Sequence, residues 1–96
     1  MPSYVMLLTW TEQGVRSAKD TIKRAETFKR QAEKFGAKMR ETLWTMGPYD
    51  AIGLFEAPDD ATVSRLAIWA GSQGNVKTLT MRAYTASEMS KIVEGL

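Results

Sequence analysis

The chain has 96 residues, 44 % of them hydrophobic and 25 % charged, a globular composition that excludes a disordered chain. Cysteine and histidine are both absent, so disulfides, thiolate nucleophiles, histidine-based triads and histidine-ligated zinc or haem are excluded. The net charge is only +2, no apolar run approaches the roughly 18 residues of a membrane span, and the N-terminus lacks a charged-then-apolar secretion pattern. The expectation is one small cytoplasmic domain over 1–96, with no cofactor, metal or membrane partner.

Tyr4 to Thr11 is rich in strand formers and apolar on both alternate sets of positions, the pattern of a strand buried on two faces. Glu12-Gln13-Gly14 reads as a break. Val15, Ala18, Ile22, Ala25, Phe28, Ala32 and Phe35 then recur at steps of three and four, which predicts one amphipathic helix of about five turns. Gly36 ends it in the left-handed region that glycine tolerates. From Arg16 to Arg40 nine basic residues stand against Asp20, Glu26 and Glu33. With acids at pairing distance and no aromatic side chains among the outward charges, this reads as a solvated helix face, and nucleic acid is not an expected partner.

Lys38 to Met46 alternates, with Met39, Leu43 and Thr45 on one face and Lys38, Arg40, Thr42 and Trp44 on the other. Gly47-Pro48-Tyr49 is a turn, proline presetting one backbone angle and glycine freeing another. Asp50 opens a third strand, Ala51 to Ala57, apolar on both faces. Asp59 is the expected cap of a second helix, with Val63, Leu66, Ala67 and Ala70 inward and Ile68 and Trp69 off that stripe. Gly71 to Asn75 is a loop. Val76 to Tyr84 alternates Leu79, Met81 and Ala83 against Thr78, Thr80, Arg82 and Tyr84. Thr85 and Glu88 form a capping box for a short terminal helix carrying Met89, Ile92, Val93 and Leu96.

The order βαββαβ plus a tail helix defines an α+β, ferredoxin-like plan: a four-stranded antiparallel sheet ordered 4-1-3-2 with the helices on one face. Strands one and three should be central, and these read apolar on both faces. Strands two and four should be edges, and these alternate. Two helices cover one face only, so the apolar open face of the central strands calls for a partner. The simplest is a second copy packed sheet against sheet as a two-fold homodimer.

Several stretches resemble one family. Tyr4-Val5-Met6-Leu7-Leu8-Thr9-Trp10-Thr11 with Gln13-Gly14, and the turn Thr45-Met46-Gly47-Pro48-Tyr49-Asp50 with its G-x-Y-D core, are similar to the bacterial GYD-domain proteins. Glu56-Ala57-Pro58-Asp59-Asp60, Gly71 to Val76 and Arg82-Ala83-Tyr84-Thr85 also look like that family's landmarks. The resemblance covers essentially the whole chain and implies a ferredoxin-like fold of the dimeric α/β barrel type. It implies little about function.

Three groups of residues are candidate sites. Tyr49 and Asp50 of the turn have a structural reading, with Asp50 accepting backbone hydrogen bonds at a strand start. They also have a functional one by analogy, because the effector-binding domains of leucine-responsive transcriptional regulators carry a similar turn beside a small-molecule site. Asn75 is a candidate donor at a cavity mouth. Arg40, Thr42 and Trp44 from one edge, with Thr78, Thr80, Arg82 and Tyr84 from the other, are expected on the open sheet face. There the arginine forks would suit a carboxylate and the aromatic rings a planar or apolar body. The favoured function is a homo-oligomeric small-molecule-binding or regulatory module with a planar or apolar acid between the dimer's sheets. The alternative is a cofactor-independent enzyme, monooxygenase- or isomerase-like, acting on an aromatic or enolic acid. Its general base would be Asp50, Glu41, Glu56 or Tyr84.

Overall fold

In the computed structural model, which describes residues 1–96, β1 (Ser3–Trp10) pairs antiparallel with both β3 (Ala51–Glu56) and β4 (Val76–Ala83). β2 (Lys38–Trp44) joins the outer side of β3, giving the sheet order β2-β3-β1-β4. This is the ferredoxin-like order expected from the sequence, with the two doubly apolar strands at the centre. Helices α2 (Thr21–Lys34) and α3 (Asp60–Ser72) cover one face, α2 against β2 and α3 against β4. The core forms where Tyr4, Met6 and Phe55 of the sheet meet Ala32 of α2 and Val63 and Leu66 of α3. Tyr4 and Phe55 are direct cross-strand partners whose rings stack with centroids 5.8 Å apart, a pairing that adds to the area they bury. No helix is long and apolar enough to cross a membrane.

The local signals place most boundaries. Asp59 caps α3, its Oδ1 accepting from the Thr62 amide at 2.8 Å. Gly36 and Gly47 take φ of 90° and 103°, which glycine alone adopts without strain. The Thr85–Glu88 capping box is complete and opens α4 (Ala86–Ile92), which buries none of its residues.

Three expectations need correction. The long first helix is two helices. α1 (Glu12–Arg16) is capped by the Thr11 hydroxyl, which accepts from the Gly14 amide at 3.1 Å, and a single 3-10 turn, Ala18–Asp20, separates it from α2. Arg24 makes the interruption stable: its guanidinium donates to the Gly14 and Ser17 carbonyls at 3.1 and 2.8 Å, satisfying acceptors that a continuous helix would have paired. The change of axis takes Val15 and Ile22 off the inner stripe, and Ile22 is 62 % exposed. The supposed break at Glu12-Gln13-Gly14 thus lies inside α1.

The second correction concerns β2. A register shift between Met39 and Glu41 places an extra residue, Arg40, in the strand. A bulge reverses the alternation beyond it, so Met39, Thr42 and Trp44 share the helix-covered face while Glu41 and Leu43 lie on the open one. Thirdly, β4 presents its polar set inward. Thr80 stands opposite Met6 and Arg82 opposite Tyr4 on the helix-covered face, and Leu79 and Met81 point away from the helices. Thr42, Trp44, Thr78, Thr80 and Arg82 therefore do not line the open face.

Candidate functional site

The Gly47–Asp50 turn joins the sheet at the end of β1. The Asp50 amide donates to the Leu8 carbonyl at 2.8 Å, and the Asp50 carboxylate accepts from the Trp10 amide at 2.8 Å. The Thr45 amide donates to the Asp50 carbonyl at 2.9 Å, and the Thr45 hydroxyl to the Tyr49 carbonyl at 2.7 Å. Asp50 thus extends the ladder ahead of the first residue of β3, as its structural reading requires. Tyr49 is half-buried beside it.

A cavity of about 220 Å³ lies behind this end of the sheet, between the strands and α2–α3. Its origin is visible in the cross-strand rows. One row on the helix-covered face reads Arg82–Tyr4–Phe55–Met39 and is filled. The next two read Thr80–Met6–Gly53–Thr42 and Thr78–Leu8–Ala51–Trp44, with the smallest residues on the central strand. A Cβ at Gly53 would stand 3.5 Å from the Met39 methyl in ordinary contact, so glycine there leaves space rather than avoiding a clash. Ala25 and Ala70 keep the helix side short as well.

All three tryptophans of the chain, Trp10, Trp44 and Trp69, line this cavity. Trp44 donates its indole N–H to the Thr21 hydroxyl at 3.0 Å, and Trp69 lies tilted against Phe28 with centroids 6.4 Å apart. The charged residues of the lining are Lys23 and Arg24, both on α2. Asn75 is at the same mouth, with its Oδ1 accepting from Gln13 Nε2 at 2.9 Å. Of the residues named as candidates from the sequence, Thr42, Trp44 and Asn75 meet here. Lys23, Arg24, Trp10 and Trp69 were missed. The readable signal was the pair Ala51 and Gly53 on a central strand, where large side chains are the rule.

The two candidate arginines are elsewhere and occupied. Arg40 pairs with Glu56, Nε to Oε2 at 2.8 Å, at the margin of the open face. Arg82 lies 4.5 Å over the Tyr84 ring and 5.6 Å from the Tyr4 ring, donates to the Ser3 and Ala83 carbonyls, and reaches Glu88 at 3.3 Å. It ties β4 to the start of α4 and presents no free fork to a ligand. Tyr84 is half exposed beside it. The Thr85 amide, then Arg82, donate to the Glu88 carboxylate and hold its pKa below the ordinary value.

The middle of the open face is two apolar rows, flanked by the row Ala83–Ser3–Glu56–Lys38 on one side and the pair Lys77–Thr9 on the other. Met81–Val5–Leu54 runs across three strands and ends at Glu41 of the fourth, and Leu79–Leu7–Ile52–Leu43 runs across all four. At its edges Leu79, Met81 and Leu43 are 47 %, 45 % and 48 % exposed.

The sheet order, the one-sided helix layer and the Gly-x-Tyr-Asp turn define a small ferredoxin-like α+β protein. The family model of the GYD domain matches residues 4–93, and the chain belongs to that family. One relative, from Thermus thermophilus, is 31 % identical over 90 residues, covering 93 % of this chain and 95 % of its own. It is named glutamine synthetase and cystathionine beta-lyase binding protein.

Proposed function

We propose that this chain is a small binding or regulatory module that works by docking its open sheet face onto protein, in the first place onto a second copy of itself. The observation that carries this is the apolar row Leu79–Leu7–Ile52–Leu43 with its neighbour Met81–Val5–Leu54. β4 makes the point most sharply, because it sends its threonines toward the helices and its leucine and methionine toward water. An isolated domain gains nothing from that arrangement, whereas a covered face gains from each apolar group removed from solvent. Two-fold packing of like faces is the simplest closed solution and would complete the barrel expected from the sequence. A relative named for binding two enzymes supports protein partners in general.

The space between two such faces would be walled by aliphatic side chains, so it suits an interface better than the arginine- and aromatic-lined pocket for a planar or apolar acid expected there. The helix-side cavity carries two cations and no carboxylate in its lining, which favours holding a molecule over acid–base chemistry on it. Sedimentation at micromolar concentration is the test. The expected species is a dimer, and Leu79→Glu should give a folded monomer by circular dichroism. A wild-type chain that sediments as a folded monomer overturns the proposal.

A further inference from the structure

The geometry points to a second binding site on the opposite side of the sheet: we propose that the cavity between the sheet and α2–α3 binds a small planar acid, an aromatic body of one or two rings with one carboxylate. Its walls are mainly apolar. Trp44 is held by its bond to Thr21, Trp69 by packing on Phe28, and the floor is the sheet itself at Gly53 and Ala51. Flat aromatic walls favour a flat guest. The volume of about 220 Å³ falls below the roughly 300–1,000 Å³ of sites for drug-sized ligands, which limits the guest to one or two rings.

The charge sets the rest of its chemistry. Lys23 makes no ion pair. The Arg24 guanidinium donates to backbone carbonyls and the Ser17 hydroxyl, so it has hydrogen-bond partners and no counter-charge. No acidic residue belongs to the lining. Two uncompensated positive charges on one turn of α2 therefore border an apolar hollow, an arrangement that repels cations and rewards a carboxylate at the rim. This site is independent of the open face, and its occupancy and the dimer's assembly are read separately.

The experiment is isothermal titration calorimetry of the wild-type chain with 1-naphthoate and with 1-naphthalenemethanol, which shares the ring and lacks the charge. The acid should bind once per chain, about tenfold or more tighter than the alcohol at low salt, with the difference shrinking as salt screens the rim. Tryptophan emission gives a second readout, because all three indoles border the space. Gly53→Val and Ala25→Leu fill the hollow from the sheet and from α2, and each should abolish binding while the melting temperature and sedimentation stay at wild-type values. Lys23→Gln should weaken the acid several-fold and leave the alcohol unchanged. Absence of binding by 1-naphthoate at millimolar concentration overturns the site. So does unimpaired binding in whichever filled variant folds. Equal affinity for acid and alcohol overturns the assignment of an acid.

Discussion

At Gly14 two distant parts of the chain pack backbone against backbone. A Cβ at this position would run into the Asn75 carbonyl oxygen, which itself accepts from the Thr11 amide at 3.1 Å. The Thr11 hydroxyl donates to the Gly74 carbonyl at 2.6 Å in the same knot. Because the obstacle is backbone held by hydrogen bonds, Gly14→Ala should cost about 1–3 kcal/mol, the range of overpacking substitutions. Gly71→Ala is the control, since nothing lies within 4 Å of its added methyl; urea melts of the two variants should separate clearly. Tyr4 carries a different kind of sensitivity. The Asp60 carboxylate accepts from its hydroxyl at 2.6 Å, and this bond, then burial, raise the phenol above its ordinary pKa of 10.0. The fold favours the protonated ring, so this contribution is complete below the unfolded value and is lost as pH rises through the raised folded one. Thermal midpoints should fall on the alkaline side above about pH 10, and Tyr4→Phe should lessen that fall.

Among the elements, α4 has the least support from the rest of the molecule. It buries none of its residues, and its start rests on the Thr85–Glu88 box and the reach of Arg82. Thr85→Ala should therefore speed amide exchange across residues 86–92 while leaving protection in β1 and β3 unchanged, because stability here is local. Capping boxes, glycine stops and the central-versus-edge patterning of strands were legible in the sequence, since each depends on residues close together in the chain. The interruption of the first helix was not. The Val15–Phe35 spacing fits an unbroken helix, and the turn exists because Arg24 reaches back to carbonyls of α1 and the residue after it. Nor was the orientation of β2, where the bulge at Arg40 depends on how the strand meets β3. Those two hidden features decide the candidate site. The bulge turns Trp44 inward to the cavity, and the helix break sets Lys23 and Arg24 at its rim. Arg40 and Arg82 were sensible choices by residue type, yet each had a neighbour, Glu56 or Glu88, that took up its fork.

For the whole molecule, a dimer built on the open face predicts that the melting temperature climbs with protein concentration, as mass action requires when assembly and folding are linked. In Leu79→Glu that dependence should vanish. The topology also governs the order in which the molecule can be made. β1 is synthesised first and occupies the centre of the sheet, yet both its neighbours come later, and the contact of Arg82 with Ser3 spans 79 residues. A growing chain therefore carries an apolar strand with two unpaired edges until its later partners have left the ribosome, at roughly 5–20 residues per second. Such edges template pairing with other chains, and contacts so far apart in sequence form slowly. The yield of native protein in the cell should thus depend on whatever shields β1 during those seconds of translation, a vulnerability that the finished sheet no longer displays.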